Sequence, residues 1–262
     1  MDSAGASEYN WRPMEQREPL EGKVSVVFPT FNERDNIGPL IQEVLGYTPA
    51  GTEVIVVDDD SPDGTWKVVE DMQKTNSRIR LLRRTTERGL TSALRAGIAA
   101  AKGEVVVWSD CDFSMPPAKV KDLLDEIGRG ADVAVGSRFI EGGGVRIVHG
   151  SGDTLMAYLM SRTLNRFIRR ILGREFHDYT SGFVAVRKTV LDRVPLRGGY
   201  GEYFIDLVYR AKKLGFKLVE SPYICIERRS GTGKTGQKFS DFIRKGRKYV
   251  GLTIRLRFTK IR

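Results

Sequence analysis

Short apolar strands that alternate with amphipathic helices are the feature that most constrains the fold of this chain. Apolar, mostly β-branched runs occupy 24–28, 54–57, 80–82, 105–108 and 133–135. Apolar residues at helical spacing lie between them, and the pattern predicts helices at 35–45, from 61 onward, at 92–101 and at 116–127. Strands of this kind, alternating with helices, are typical of a mainly parallel sheet covered on both faces. The sequence therefore predicts an α/β three-layer sandwich with a Rossmann-like half and a mainly parallel central sheet.

The second part of the chain departs from this alternation after the glycines at 142–144. These glycines predict a mobile loop or a lid over the site. The pattern then predicts a long helix at 154–172, a strand at 183–186, a helix at 202–214 and strands at 218–226. We expect a flexible N-terminal tail at 1–22, a catalytic domain at 23–236 and a basic amphipathic segment at 237–262.

The positive charge of the chain is concentrated near its C-terminal end. The formal net charge is +10, and between residues 238 and 262 nine lysines and arginines stand against Asp241 alone. Phe, Tyr, Leu and Ile residues are interleaved with these cations, as in helices that lie in a lipid interface. The same pattern at 154–174 fits equally well a helix packed on the domain with solvated charges. The two cysteines cannot build a disulfide framework, and no run is long and apolar enough to span a membrane.

Acidic residues directly follow two of the predicted strands. Residues 58–60 are three aspartates after the second strand, and Asp110 and Asp112 follow the fourth. Ligands of open α/β sheets bind at the carboxyl ends of strands. Two carboxylates together with phosphate oxygens form a usual site for Mg²⁺ or Mn²⁺. Each cluster also has a structural interpretation, as turn or helix-cap acids. Because an apolar strand precedes the second cluster and two prolines follow it, we favour a metal–diphosphate site there.

Several motifs together resemble a known enzyme family. They are PTFNE at 29–33, VDDDSPDGT at 57–65, DCD at 110–112 and GSR at 136–138, with further likeness at 84–93 and 180–183. The ordered set resembles the family-two inverting glycosyltransferases of the GT-A fold, and within them the dolichol-phosphate and other polyprenol-phosphate mannosyltransferases. The resemblance covers roughly residues 23–248. It implies a GT-A fold and metal-dependent transfer of mannose from GDP-mannose to a polyprenol or dolichyl phosphate, with inversion.

The resemblance also implies which residues form the site. The residues implied to bind the nucleotide sugar are Pro29, Phe31, Glu33, Val57, Asp59, Asp110, Cys111, Asp112, Arg138, Arg228 and Lys234. Those implied to hold Mg²⁺ or Mn²⁺ are Asp110, Asp112 and Ser114, and those implied to be catalytic are Asp112, Arg138, Arg228 and Lys234. From the residue types alone, Phe31 offers a face for a base and Glu33 an acceptor for ribose or base donors.

Two segments differ from the family's pattern. The family ends its basic loop with Glu-Ser-Lys, whereas this chain has Thr-Gly-Lys at 232–234. The family also has a basic pair before its long helix, thought to meet the acceptor phosphate. Residues 149–158 lack this pair, and His149 or Arg146 is a candidate replacement. The alternatives are therefore a UDP-sugar donor of the glucose type and a saccharide hydroxyl as acceptor.

The implied acceptor explains why the sequence shows no histidine base. A lipid phosphate is already anionic at neutral pH, so transfer to it needs no strong general base. The expected partners are a nucleotide sugar, a polyprenol or dolichyl phosphate, and either an anionic membrane surface or a small membrane-anchoring subunit. We expect a peripheral protein on the cytoplasmic face of a membrane, the endoplasmic reticulum in a eukaryote or the plasma membrane in a prokaryote. A basic module that binds nucleic acid or membranes without catalysis is the non-enzyme alternative. It leaves the acidic strand ends unexplained, and we expect no nucleic-acid partner.

Overall fold

A computed structural model describes residues 18–146, 152–229 and 239–261 of the chain, with the backbone alone at 152–155, 157 and 239–245. Its strands are β1 (Val24–Thr30), β2 (Glu53–Asp58), β3 (Ile79–Arg83), β4 (Val105–Trp108), β5 (Val133–Ser137), β6 (Gly144–Val145), β7 (Val184–Arg187), β8 (Leu218–Pro222) and β9 (Ile224–Cys225). Its helices are α1 (Arg34–Tyr47), α2 (Thr65–Thr75), α3 (Leu90–Ala100), α4 (Lys119–Gly128), α5 (Gly152–Leu172), α6 (Lys188–Arg193), α7 (Tyr203–Lys213) and α8 (Phe239–Phe258).

The central sheet has seven strands in the order β3-β2-β1-β4-β7-β5-β8. Neighbouring strands are parallel except at β7, which runs antiparallel to both β4 and β5. A second, two-stranded sheet pairs β6 with β9. The predicted α/β fold with a mainly parallel sheet is confirmed. The direction of β7 was not predicted, because its buried apolar pattern is the same for either direction.

Two apolar cores cover the two faces of the sheet. Side chains alternate along β1, so that Val26 and Phe28 lie in one core and Val27 lies in the other. The first core is completed by α1, α2 and α4, and the second by α3, α5, α6, α7 and α8. The inner residues of all the central strands are almost fully buried. This burial on both faces is what makes these strands continuously apolar in sequence.

One predicted helix begins later than expected, and one predicted loop leads into a strand, so that its mobility stays a prediction. The predicted helix at Ser61 begins only at Thr65, because Asp58 accepts hydrogen bonds from the backbone N–H and hydroxyl of Ser61 (2.8 and 2.7 Å) and closes a turn there. Gly64 continues this turn with a φ of 83°, in the left-handed region that favours glycine. The glycines at 142–144, predicted as a mobile loop, lead into β6, which β9 holds in a parallel ladder.

The segments assigned to the two ends of the chain contact the domain. Leu20 is buried, and Glu18 pairs with Arg187 at 2.9 Å. Near the other end, Thr253 and Leu256 of α8 are fully buried against the second core. The inward face of α8 is therefore a structural part of the domain, and only its outward face is available to a partner.

Candidate active site

The carboxyl ends of β1, β2 and β4 border a cavity of about 410 Å³. The three strands are neighbours in the sheet, so the residues that follow them meet at one edge. Predicted site residues that line this cavity are Pro29, Phe31, Glu33, Asp59, Asp110, Cys111, Asp112 and Arg228. The structure thus brings together residues that lie far apart in sequence.

The three aspartates after β2 have different environments. Asp58 is fully buried and holds the turn described above, with an additional hydrogen bond from Thr30 Oγ1 at 2.9 Å. Asp60 adopts a φ of 57° and accepts a hydrogen bond from Arg83 Nε at 2.7 Å, outside the cavity. Only Asp59 of the three lines the cavity. The sequence cluster therefore combines a turn, a surface ion pair and one site residue.

Asp59 holds the loop that precedes α3. Its Oδ1 accepts hydrogen bonds from Arg84 Nε at 2.8 Å and from Arg84 Nη2. Its Oδ2 accepts a hydrogen bond from the Gly89 N–H at 2.7 Å. Arg84 also donates to Ser92 Oγ at 3.0 Å and to the Gly89 carbonyl at 3.2 Å. These nearly buried hydrogen bonds fix the conformation of the loop. Gly89 has a φ of 141° there, a backbone conformation that would be strained in a residue with a side chain.

The other residues predicted to bind the nucleotide differ in how they are placed relative to the cavity. Glu33 is buried and accepts a hydrogen bond from Asn36 Nδ2 at 2.8 Å. Cys111 is also buried, with its Sγ 3.5 Å from the Pro29 carbonyl oxygen. The side chain of Val57 lies in the second apolar core and does not line the cavity. Val57 can therefore meet a nucleotide only through its backbone.

The acidic pair and a basic side chain meet at the other end of the cavity. Asp112 is only 7% exposed; its Oδ1 accepts a hydrogen bond from the Ser114 N–H at 3.0 Å, and its Oδ2 accepts one from Arg228 Nη2 at 2.7 Å. Asp110 is exposed to the cavity. The backbone N–H of Arg229 donates to the Asp112 carbonyl at 2.9 Å, which fixes the segment carrying Arg228. Phe113 adopts a φ of 64°, a strained value for a bulky residue of the kind that concentrates at functional sites.

The oxygen groups at this end fit a Mg²⁺ or Mn²⁺ ion that also binds phosphate. Asp110, Asp112 and the Ser114 hydroxyl are all hard oxygen donors, and Mg²⁺ commonly takes one or two carboxylates and completes its shell with phosphates and water. Across the described parts of the chain, no three His, Cys, Asp or Glu side chains group into a site that protein alone would complete. The set therefore suits an ion that arrives together with a diphosphate.

A second space, a groove of about 700 Å³, adjoins the cavity at Asp110, Leu90 and Tyr200. Most of its wall is apolar, and two helices contribute to it, with Leu164 and Phe167 on α5 and Tyr249 and Val250 on α8 among its residues. Its polar residues include Asp110, Ser114, Arg138, Ser161, Thr163, Thr180 and Ser181. The groove thus joins an apolar passage between two helices to the acidic end of the cavity.

Arg138 lies in this groove and not in the nucleotide cavity. Its Nε and Nη2 donate to the two oxygens of Asp178, each at 2.8 Å, and Nη2 also donates to Thr180 Oγ1 at 2.9 Å. Burial alone would lower the pKa of Arg138, but the adjacent charge of Asp178 raises that pKa above its ordinary value. Arg138 is therefore a permanently charged group fixed in the wall of the groove.

The outward faces of α5 and α8 carry exposed apolar side chains. Met156 and Leu159 of α5 are about half exposed, as is Ile254 of α8, and Phe258 is 81% exposed. Arg162, Arg166, Arg247, Arg255 and Arg257 are exposed on the same helices. Within the described residues, no helix is both long and apolar enough to cross a bilayer.

Two predicted residues, Lys234 and His149, lie outside the described part of the chain. Arg146 is described, and it is exposed beyond β6. Tyr200 and Arg88 line the cavity, although the sequence did not predict either of them as a site residue. Neither residue comes directly after a strand, so the fold of their loops is needed to show that they reach the cavity.

Comparison with known proteins gives a family match. The sequence profile described as "Glycosyl transferase family 2" matches residues 25–194. The polyprenol monophosphomannose synthase of Mycolicibacterium smegmatis is 36% identical over 217 residues, covering 80% of this chain and 79% of that protein. The dolichol-phosphate mannosyltransferase of Pyrococcus furiosus is 33% identical over 231 residues, which are 85% of this chain but only 62% of that longer protein.

Solved structures show the same architecture. Glucosyl-3-phosphoglycerate synthase from Mycobacterium tuberculosis, in complex with Mn²⁺, UDP and glucosyl-3-phosphoglycerate, superposes with a TM-score of 0.64 at 21% identity, covering 90% of this chain and 79% of that one. The same enzyme with Mg²⁺ and UDP also superposes with a TM-score of 0.64. At this identity the likeness concerns the fold alone. The predicted GT-A fold is confirmed.

Proposed function

The chain belongs to glycosyl transferase family 2 and is a glycosyltransferase, and we propose that it transfers mannose from GDP-mannose to a polyprenol phosphate with inversion. The observation that carries the proposal is the junction at Asp110 between the nucleotide cavity and the apolar groove. Two curated relatives, each at least 33% identical, are named for mannose and a polyprenol or dolichol phosphate, which supports both substrates.

The nucleotide cavity would hold the donor with its base near Phe31 and its diphosphate near Asp112. Arg228 already reaches Asp112 and is the nearest described cation for the diphosphate. A divalent cation held by Asp110, Asp112 and Ser114 would neutralise the charge that develops on the departing diphosphate. The prediction that Lys234 assists Arg228 stays a prediction.

The groove would hold the acceptor. Its apolar wall between α5 and α8 suits a polyprenyl chain, and Arg138 offers a fixed positive charge for the phosphate. Because Asp178 already fixes the Arg138 guanidinium, little reorganisation is needed when the phosphate arrives. A saccharide acceptor would need hydrogen-bonding groups along the passage, where this groove has mainly apolar side chains.

This arrangement suits a single displacement. The donor diphosphate would lie in the cavity and the acceptor phosphate in the groove, and the sugar would lie between them, where the two spaces join at Asp110. An acceptor phosphate oxygen forms a bond to the anomeric carbon while the bond from that carbon to the diphosphate breaks, and GDP leaves with the electron pair. The acceptor oxygen is anionic, so no proton is removed and no general base is needed. The residues act by positioning and by charge.

We also propose that the outward faces of α5 and α8 dock on an anionic membrane. Met156, Leu159, Ile254 and Phe258 would enter the interface while the flanking arginines meet phosphate headgroups. Each arginine near such a surface contributes about 1 kcal/mol, and the apolar contacts are not screened by salt. Because the groove runs between the same two helices, docking would present it to a lipid acceptor.

A transfer assay tests the catalytic proposal. Purified protein is incubated with Mg²⁺, a short-chain polyprenyl phosphate and either GDP-mannose or UDP-glucose, and the lipid product is extracted. We expect mannosyl lipid whose anomeric configuration, read by NMR, is opposite to that of the donor. Product from UDP-glucose alone would show that the donor assignment is wrong, and product of retained configuration would exclude the single displacement.

Sedimentation with vesicles tests the docking proposal. The double variant Ile254→Ser/Phe258→Ser should lose most binding to anionic vesicles while its binding to neutral vesicles stays low. Tyr47→Ser is the matched control, because Tyr47 is an exposed aromatic residue of α1, a helix that takes no part in the docking face. Equal sedimentation of the double variant and the unmodified protein would refute the docking face.

A further inference from the structure

Arg88 is a cavity residue that neither the motifs nor the chemistry of the acidic end accounts for. It is exposed, it lines the nucleotide cavity, and its guanidinium carbon lies 5.2 Å from the centroid of the Phe31 ring. Asp110, Asp112 and Arg228 form the phosphate end of the same cavity, whereas Phe31 and Arg88 form an aromatic and planar end. Planar groups of these two kinds are what nucleobases stack on.

The position of Arg88 is imposed by its neighbours in the loop. Arg84 and Gly89, on either side of it, are both hydrogen-bonded to Asp59, and the Arg84 backbone N–H donates to the Asp58 carbonyl at 2.8 Å. The backbone that carries Arg88 is therefore held beside Phe31 by a nearly buried ion pair, whereas the exposed guanidinium is free to turn about its own side-chain bonds. In this arrangement Asp59 serves the site by placing Arg88, in addition to any direct contact with a nucleotide.

We propose that Arg88 forms the second face of a slot for the nucleobase, with Phe31 as the first face. The base enters over the Phe31 ring and the guanidinium moves onto the outer face of the base, so that a guanidinium–ring contact is replaced by two stacking contacts. This inference rests on the proposed function, because it assumes that the cavity binds a nucleotide sugar. It assigns to Arg88 a role in affinity for the base and none in the chemistry at the diphosphate.

The chain offers a matched control in Arg83. Its guanidinium carbon lies 3.6 Å from the centroid of the Trp66 ring, a contact of the same kind, but neither residue lines the cavity. Arg83→Ala removes one exposed positive charge from a site five positions away in sequence. It therefore reproduces the change in net charge of Arg88→Ala without touching the proposed slot.

Calorimetry on the full chain tests the proposal with three variants, Arg88→Ala, Arg88→Lys and Arg83→Ala. The probes are inorganic pyrophosphate and whichever of GDP and UDP binds the unmodified protein more tightly, each with Mg²⁺. Arg88→Ala should weaken nucleotide binding about tenfold, the scale of one cation–aromatic or base-stacking contact. Arg88→Lys should weaken it nearly as much, because an ammonium has charge but no planar face. Pyrophosphate binding should change in neither variant, and Arg83→Ala should bind both probes normally.

The possible results separate this inference from the function on which it rests. Unmodified protein that binds neither nucleotide would overturn both. Nucleotide affinity that is unchanged in Arg88→Ala would overturn the slot alone. Full recovery in Arg88→Lys, or an equal loss for pyrophosphate and nucleotide, would show that Arg88 acts through its charge on the phosphates, which also overturns the slot.

Discussion

Replacement of Asp178 by alanine should be among the most destabilising single changes in the domain. Asp178 is fully buried and accepts hydrogen bonds from Arg138 Nε and Nη2 at 2.8 Å and from the Arg138 backbone N–H at 3.0 Å, with further ones from Thr180. Its loss leaves the Arg138 guanidinium, only 14% exposed, without its counter-charge. Removing one partner of a buried pair costs about 3–5 kcal/mol, which corresponds to a fall in Tm of roughly 6–20 °C for a domain of this size.

Two further variants separate charge from packing. Asp178→Asn keeps the shape of the side chain, so if the uncompensated charge dominates, it should lose nearly as much stability as Asp178→Ala. The double variant Asp178→Ala/Arg138→Met should be more stable than Asp178→Ala alone, because no buried charge remains. Asp71→Ala is the control, since Asp71 pairs with Lys74 on an exposed helix surface and should change stability by no more than about 0.5 kcal/mol.

Urea unfolding and thermal unfolding, both followed by circular dichroism, give the free energy of unfolding and the Tm of all four variants. A native-like Tm for Asp178→Ala would refute the argument, since it would mean that the Arg138 charge is not buried in solution. Asp178→Asn that is as stable as the unmodified protein would show that packing, and not charge, determines the loss. In either case Arg138 would not be the preorganised cation that the acceptor groove requires.

Three other changes test separate parts of the structure. Asp112→Asn should reduce sugar transfer at least a hundredfold in a protein that stays folded, because it weakens the group proposed to face the departing diphosphate, and normal turnover in Mg²⁺-buffered assays would refute that role. Glu53→Gln should cost about 1–2 kcal/mol at pH 7, since burial opposes the Glu53 charge but hydrogen bonds from Ser25, Lys102 and Arg80 keep its pKa below the usual value. Because hydrogen bonds stabilise this carboxylate in the folded state, the loss should decrease as the pH falls from the usual glutamate pKa through the lowered folded-state pKa, and a pH-independent loss would contradict it. Burial raises the pKa of the Cys225 thiol to about 11, so iodoacetamide should label the native protein far more slowly than the unfolded protein at pH 8. Rapid labelling would show that the groove is open to solvent there.

The parts of the fold that sequence predicted well are those set by local pattern. The runs at β1, β2 and β4 are continuously apolar because they are buried on both faces. Burial of this kind can be recognised directly from the sequence. The turn at Ser61 was misread as a helix start because proline and aspartate favour both structures. Asp58 closes the turn by accepting hydrogen bonds from Ser61, and a further hydrogen bond from Thr30, on a different strand, holds the Asp58 carboxylate in place. Such a contact has no local signature.

The site shows the same division between local and long-range information. Residues that follow strands, such as Phe31, Asp110 and Asp112, could be predicted because strand ends are visible in sequence and converge in a parallel sheet. Arg138 could be predicted from its motif, but its place in the groove depends on Asp178, which comes from a distant loop. Arg88 and Tyr200 lie in loops held by long-range contacts, among them those of Asp59 with Gly89 and of Thr91 with the Tyr200 carbonyl. Their contribution is therefore a property of the folded chain.

Helix α8 contributes to three parts of the structure at once: the second core, the groove and an exposed apolar face. Its buried face, at Thr253 and Leu256, belongs to the second core, so the helix is held by the domain whether or not a membrane is present. One flank of the same helix places Tyr249 in the groove, where the Tyr249 side chain packs against Gly201, a residue that has no room for a larger side chain. Its outward face presents Ile254 and Phe258 to solvent. Because one helix contributes to the core, the groove and the exposed apolar face, the lipid acceptor proposed above would meet a groove already formed, with its polar end at Asp110.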